Sequence, residues 1–337
     1  MVVRGQFRGE ASICVSVPAR VSISVTNMNE LTAGRTGGGN VGFAVDSRTS
    51  IEVAAADQTS VHFREMLGDA REVEDLIVSC VERWNKDETR ATAGYAVTVH
   101  HLPPLHMGLG TSVAIQVALT VGLAVLGNRA TTLLAIRERV QSSYIEIVDG
   151  KPTPALTTGL ASALATMGGF AFIGQGGEIR HHAVVPSWHY CVATPGGLRP
   201  TADVELHRTL VRGRQRDSST SSYKERVIWN DLIPAIRDAD FASFTGAVRA
   251  LQVVGSKRVE IELHGQSVLH AIRDLYERGG VCAFMSAVGP GIVILTNGVG
   301  PCPSSIAEAA GLRVVVAGST ANCGIRLAIH TSSQCSD

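Results

Sequence analysis

Between residues 103 and 114 the chain reads Pro103-Pro104-Leu105-His106-Met107-Gly108-Leu109-Gly110-Thr111-Ser112-Val113-Ala114. Gly108 and Gly110 let the backbone come close to a ligand and take conformations closed to other residues. Thr111 and Ser112 suit the cap of the apolar run that follows, predicted as a helix from about Ser112 to Leu126, and they add hydroxyl donors. The free N–H groups and positive dipole end of that helix then face whatever occupies the loop, which makes an anion site. An ordinary glycine turn before a core helix would share this local signature. His106 stands on the approach to the loop and is a candidate ligand contact.

A second run, Gly37-Gly38-Gly39-Asn40-Val41-Gly42, formally satisfies G-x-G-x-x-G. A dinucleotide fingerprint needs a strand before it and a helix after it, and here strand-like Phe43-Ala44-Val45 follows. The run reads instead as a pocket wall beside Arg35 and Thr36. A nucleotide P-loop is also excluded, since Gly150-Lys151 lacks the earlier glycine. A third turn, Ser286-Ala287-Val288-Gly289-Pro290-Gly291, lies between two strand-like segments. His100-His101 and His181-His182 fall in strand-like segments, where successive side chains point to opposite faces and cannot chelate together.

The elements that would position these residues mix strands and helices without regular alternation, which indicates an α+β chain. Ser12–Val17 and Val21–Val25 read as two strands around Pro18-Ala19-Arg20. Ala70–Trp84 and Thr131–Ser143 have helical spacing, and Ala155–Met167 is a small-residue helix after Pro152 and Pro154. Later helices are expected near Tyr223–Arg237, Phe241–Leu251, Val268–Arg278 and Ser304–Ala310. The weakest join, near Gly174–Pro186, suggests domains of residues 1–178 and 179–337.

The chain has 337 residues, with 30 basic and 30 acidic side chains. That balance argues against wholesale nucleic-acid or membrane-surface binding. No apolar run reaches membrane-spanning length and the first residues do not begin a signal peptide, so a cytoplasmic protein is expected. Seven cysteines without metal spacing are expected as free thiols, mostly buried, and zinc is not expected.

Taken together, the loops resemble the GHMP superfamily, named for galactose, homoserine, mevalonate and phosphomevalonate kinases. Its first motif is similar to Pro18-Ala19-Arg20-Val21, its second to Pro104–Ala114, and its third to Ser286–Gly291. The resemblance implies a ribosomal protein S5 domain 2-like N-terminal half and a ferredoxin-like C-terminal half. Asn27-Met28-Asn29, the Gly37–Gly39 run, Pro104-Leu105-His106-Met107-Gly108-Leu109-Gly110 and Gly168-Gly169-Phe170 resemble the β-ribofuranosylaminobenzene 5′-phosphate synthase branch. Two departures stand out. Lys151-Pro152-Thr153-Pro154 replaces that branch's basic run, and Asn27 replaces an acidic residue.

Relatives with such departures are the C-glycoside synthases of pyrazole C-nucleoside antibiotics. The resemblance therefore implies decarboxylative ribosyl transfer from 5-phosphoribosyl 1-pyrophosphate to a carboxylated aromatic acceptor, with Mg²⁺ travelling on the pyrophosphate. The parent synthase activity, a small-molecule kinase and a silent binding protein are the rival readings. Lys151 and Asn27 are the implied catalytic positions. Gly108, Leu109, Gly110, Thr111, Ser112, His106, Arg20, Arg35, Thr36, Gly37, Gly38, Gly39, Arg199, Ser286 and Gly289 are the implied substrate contacts. For each arginine a solvated surface charge is the plain alternative. The family implies a homodimer.

Overall fold

A computed structural model describes residues 2–3, 11–65, 70–87, 94–196, 198 and 203–331. The architecture is α+β, built on two antiparallel-dominated sheets. In the larger sheet, strand Ala11–Val25 lies between Asn40–Ala56 and the late strand Arg326–Thr331. Asn40–Ala56 pairs with Gly94–His101 along one half and with Phe170–Ile173 along the other, and Ile179–Ala183 closes that edge. Both end strands of the C-terminal stretch, Ile179–Ala183 and Arg326–Thr331, thus add to the sheet formed by the N-terminal residues. The smaller sheet runs Cys282–Met285, Ile292–Thr296, His189–Pro195, Leu312–Ser319.

Helix α1 (Ala70–Asp87) buries Val73, Leu76, Ile77, Val81 and Trp84, a spacing that puts one apolar stripe on the core. Helix α2 (Thr111–Leu126) is apolar on nearly every side because it is the central element. It packs on the larger sheet and is covered by α1, by α3 (Leu133–Ser142) and by α4 (Leu160–Met167). The other helices are α5 (Asp203–Val227), α6 (Ile233–Arg237), α7 (Phe241–Gln252), α8 (Gly255–Leu263), α9 (Gly265–Glu277) and α10 (Pro303–Ala309).

Several expectations are corrected. Ala11–Val25 is one strand, not two, because the register shift between Pro18 and Ala19 absorbs the missing proline N–H. Helix α3 starts at Leu133, where the Thr132 hydroxyl oxygen accepts from the Ala135 N–H at 3.1 Å. The small-residue helix is only Leu160–Met167, since Lys151–Pro154 forms an outer strand paired with Ile145–Val148. Helix α8 falls where no helix was expected. The cysteines are not mostly buried: of the six described, only Cys191 and Cys282 are. Among the described residues no helix is long and apolar enough to cross a membrane.

Candidate functional site

The three motifs meet at one carbonyl. The Gly108 oxygen accepts hydrogen bonds from Arg20 Nη1 at 2.8 Å and from Ser286 Oγ at 2.6 Å. Ser286 Oγ in turn accepts from the Ser22 N–H at 2.9 Å, and the Arg20 N–H donates to the Leu109 carbonyl at 3.0 Å. Gly108 has φ 76°, and a Cβ on it would stand 2.2 Å from the Ser286 carbonyl oxygen. Only glycine allows the second and third motifs to approach this closely.

Around this junction lies a cleft of about 220 Å³. Two helices begin on its wall. Gly110, with φ 71°, is the N-cap of α2, and Gly159, with φ 81°, is the N-cap of α4; neither offers a capping side chain. The first-turn N–H groups of α2 therefore face the loop unpaired by any cap, a setting that favours anions. At α4 the caps are partial: the Gly159 N–H donates to Thr157 Oγ1 at 3.1 Å, and the Leu160 N–H reaches Thr158 Oγ1 only at 3.5 Å. A Cβ on Gly110 would lie 3.0 Å from Arg20 Nε and 3.4 Å from Ala161 Cβ, so both helix starts and the guanidinium are neighbours. Arg20 Nε is buried and has no hydrogen-bond partner among the described residues. Burial pushes the guanidinium pKa down to about 10, opposed by Tyr144 and Glu146, and leaves a cation at neutral pH.

The rest of the wall is a strip of amides and hydroxyls. Ser22 Oγ donates to Asn40 Oδ1 at 2.9 Å, and Asn40 Nδ2 donates to Thr158 Oγ1 at 3.1 Å. Tyr144 donates its hydroxyl to Glu146. His106, in a left-handed conformation at φ 57°, stands at the rim with Nε2 2.9 Å from Glu72 Oε1.

Behind the cleft sits a buried ion quartet on α5 and α8, with Asp217 and Lys224 fully enclosed and Lys257 and Glu260 at 1% exposure. Asp217 accepts from Lys224 Nζ at 2.5 Å, from the Ser256 N–H at 2.6 Å and from the Met28 N–H at 2.9 Å. Lys224 Nζ also donates to the Val25 carbonyl at 2.9 Å. Lys257 Nζ donates to the Ala287 carbonyl at 2.6 Å and stands 2.5 Å from Glu260 Oε2. Burial lowers the Lys224 pKa against the pull of Asp217, and raises that of Glu260 against the pull of Lys257. The quartet holds the loop after the first motif and the third motif at fixed positions. Sequence reading missed it because both helices lie outside the motifs. The signal was the scarcity of lysine: Lys224 and Lys257 persist in a chain that otherwise uses arginine.

Of the residues singled out by sequence, the structure brings Arg20, His106, Gly108, Leu109, Gly110, Thr111, Ser112 and Gly289 to the cleft. Ser286 is buried directly behind it. Gly37, Gly38 and Gly39 do not line it. They pack under the first-motif loop, where the Asn27 N–H and Thr26 Oγ1 both donate to the Gly38 carbonyl. Asn27 caps the short 3-10 turn Met28–Glu30, its Oδ1 accepting from the Asn29 N–H at 3.1 Å, and it donates to Gln175 Oε1. Thr36 is half-buried and bridges to Thr157, while Arg35 and Lys151 are exposed. Arg199 lies outside the described residues. Among the described residues no three acidic, histidine or cysteine side chains gather to hold a metal. His100 bonds Glu52 and His101 the Arg48 carbonyl, on separate partners.

No family model and no curated protein matches the sequence. Solved structures do match. Homoserine kinase from Cytophaga hutchinsonii superposes with a TM-score of 0.63 at 14% identity, covering 97% of this chain and 100% of its own. Mevalonate kinase from Methanococcus jannaschii gives 0.62 at 13% identity, over 92% of this chain and 98% of its own. Mevalonate pyrophosphate decarboxylase from Streptococcus pyogenes gives 0.61 at 12% identity, over 94% and 99%. The chain has the GHMP-kinase fold. At these identities the likeness establishes the fold alone, and chemistry has to be argued from the cleft.

Proposed function

We propose that this chain is a C-glycoside synthase joining 5-phosphoribosyl 1-pyrophosphate to a carboxylated aromatic heterocycle, of the 4-amino-pyrazole-3,5-dicarboxylate type, with loss of carbon dioxide and pyrophosphate. The observation that carries the reading is the convergence of two glycine-capped helix starts on a guanidinium whose Nε has no partner among the described residues. Such a wall suits two anionic groups brought side by side, as a pyrophosphate and a carboxylate would be.

The carboxylates of the cleft also suit this chemistry. Glu146 is held by Tyr144 and Glu260 is paired with Lys257. The α4 end offers Thr157 and Thr158, hydroxyls where a base would otherwise stand. Decarboxylative transfer needs no strong base. The bond from the ribosyl C1 to the pyrophosphate oxygen breaks, and its electron pair leaves with pyrophosphate. The carboxylated ring carbon bonds to C1. The bond from that carbon to the carboxylate then breaks, its electrons restoring the aromatic ring as carbon dioxide departs. Protein dipoles at α2 stabilise the leaving anion, and the cleft holds the ring carbon against C1.

The donor set fits Mg²⁺ arriving with pyrophosphate better than a resident ion. Mg²⁺ is commonly held by one or two carboxylates plus substrate oxygens, and Glu146 with the Ser112 hydroxyl would serve. Bound there, it would neutralise charge on the leaving group. Lys151, exposed on the hairpin that also carries Glu146, and Arg35 are proposed to meet acceptor or phosphate groups at the rim. A homodimer in the cytoplasm completes the reading.

Incubating the protein with phosphoribosyl pyrophosphate, Mg²⁺ and the pyrazole dicarboxylate tests it: pyrophosphate and carbon dioxide should appear in equal amounts. The names of the structural neighbours favour a second reading, a small-molecule kinase. Formation of ADP from ATP, with no pyrophosphate from the ribosyl donor, would decide for the kinase.

A further inference from the structure

Glu260 differs from its partners in the quartet. Asp217 accepts from three donors, and the two lysines each donate to backbone carbonyls. Glu260 is only 1% exposed, and the one donor beside its carboxylate among the described residues is Lys257. Lys257 Nζ stands 2.5 Å from Oε2, while Oε1 has no hydrogen-bond donor among the described residues. The same side chain lines the cleft, beside Ala287, Val288 and Gly289. A buried carboxylate oxygen that faces a cavity without a donor is costly unless something entering that cavity supplies one.

The charge of the quartet narrows what that donor is. Two carboxylates face two ammonium groups, so the cluster is already neutral. A further cation is not demanded by uncompensated charge, whereas a neutral O–H satisfies the open lone pairs and leaves the balance intact. Position narrows it further. Lys257 ties Glu260 to the Ala287 carbonyl, and Ser286, one residue earlier, bonds the Gly108 carbonyl of the anion loop. Glu260 therefore lies at the pyrophosphate end of the cleft. On a ribosyl donor, the hydroxyl nearest the carbon bearing pyrophosphate is the 2-hydroxyl.

We infer that Glu260 reads the sugar, its carboxylate accepting the 2-hydroxyl of the ribosyl donor. This rests on the ribosyl-transfer reading above. The contact selects ribose over 2-deoxyribose, because a deoxy sugar leaves the buried acceptor unpaired. It also strengthens in the reaction, since positive charge growing at C1 makes the neighbouring hydroxyl a better donor.

Calorimetric titration tests this with three probes: Mg²⁺-pyrophosphate, ribose 5-phosphate and 2-deoxyribose 5-phosphate. The proteins are wild type, Glu260→Leu, and the double variant Lys257→Met with Glu260→Leu, which keeps the cluster neutral should the single variant fold poorly. Wild type is expected to favour ribose 5-phosphate by roughly tenfold, equivalent to about 1.4 kcal/mol. Both variants should bind the two sugars equally, and any loss of pyrophosphate affinity from the disturbed quartet should weaken both sugar phosphates alike. If the double variant still prefers ribose, Glu260 does not read the sugar, while the ribosyl-transfer reading stands. Wild type that binds pyrophosphate but neither sugar phosphate overturns both.

Discussion

Gly110 offers the sharpest test of the anion site, because replacing it by alanine has two separable effects. The first is strain. At φ 71° a non-glycine residue costs about 1–2 kcal/mol, offset by about 0.4–1 kcal/mol from the narrower unfolded ensemble. A net loss of about 1 kcal/mol would lower Tm by about 1–2 °C. The second effect is a collision. The new Cβ would stand 3.0 Å from Arg20 Nε and 3.1 Å from its Cγ. Arg20 is anchored through Nη1 to the Gly108 carbonyl and through its backbone to Leu109, so its guanidinium has to give by a few tenths of an ångström, away from the α2 end. An anion bound at α2 then loses a charge-assisted hydrogen bond worth about 1.5–3 kcal/mol, or roughly ten- to a hundredfold in Kd. Titration with Mg²⁺-pyrophosphate at fixed ionic strength, with a thermal melt on each sample, measures both effects. Gly150→Ala is the control: φ is 72° there, and a Cβ would meet nothing within 4 Å. It should reproduce the strain and spare the affinity. Wild-type affinity in a folded Gly110→Ala variant would refute the assignment of Arg20 and the α2 end to the anion.

Two further outcomes follow from the geometry. Lys151→Met removes an exposed charge, so kcat/KM for the ribosyl transfer should fall no more than about fivefold, and a larger loss at unchanged Tm would show that the hairpin carries Lys151 into the reaction. Glu52 has a lowered pKa, first through the Ser12 hydroxyl and then through His100. The stability it adds is therefore present above its ordinary value of 4.5 and lost as pH falls through the lowered one. Wild type should out-melt Glu52→Gln at about pH 6 and lose that lead by about pH 3; a lead unchanged across the range would contradict the sign.

The fold and the glycine loop before α2 were legible in the sequence because both are local. Gly108 and Gly110 occupy left-handed positions that glycine announces, and the apolar run after Thr111 announces a buried helix. The opposite error came from equating glycine with ligand. Gly37–Gly39 are glycines because a Cβ would strike the Glu30 carbonyl at 2.3 Å, the Asn27 carbonyl at 2.9 Å or Thr26 Oγ1 at 2.2 Å. They make room for the chain itself. Lys151 stands where the resemblance places a basic run, and it is exposed on its hairpin. Glu260 is close only in space: it stands on α8, and no motif within about 25 residues of it points to the cleft. Tertiary packing, not local pattern, decides which charge meets the ligand.

That division of labour shows how a cleft with one arginine, Arg20, among its described lining residues could serve the proposed polyanionic donor. A ring of lysines and arginines would bind phosphate strongly in reactant and product alike, which does not lower a barrier. Here the favourable field comes from backbone N–H groups at α2 and α4, fixed by Gly110 and Gly159, with Arg20 between them. Those dipoles need no reorganisation when charge shifts onto the leaving group. The quartet sets their distance to the far wall. Asp217 grips the Met28 N–H, and Lys257 grips the Ala287 carbonyl, so the first and third motifs are braced by a cluster that adds no net charge. Breaking one member of a buried cluster of this kind usually costs about 3–5 kcal/mol, enough to keep the motifs from drifting apart during turnover. The helix ends supply the electrostatics and the quartet supplies the rigidity, and Glu260 belongs to the quartet while also lining the cleft.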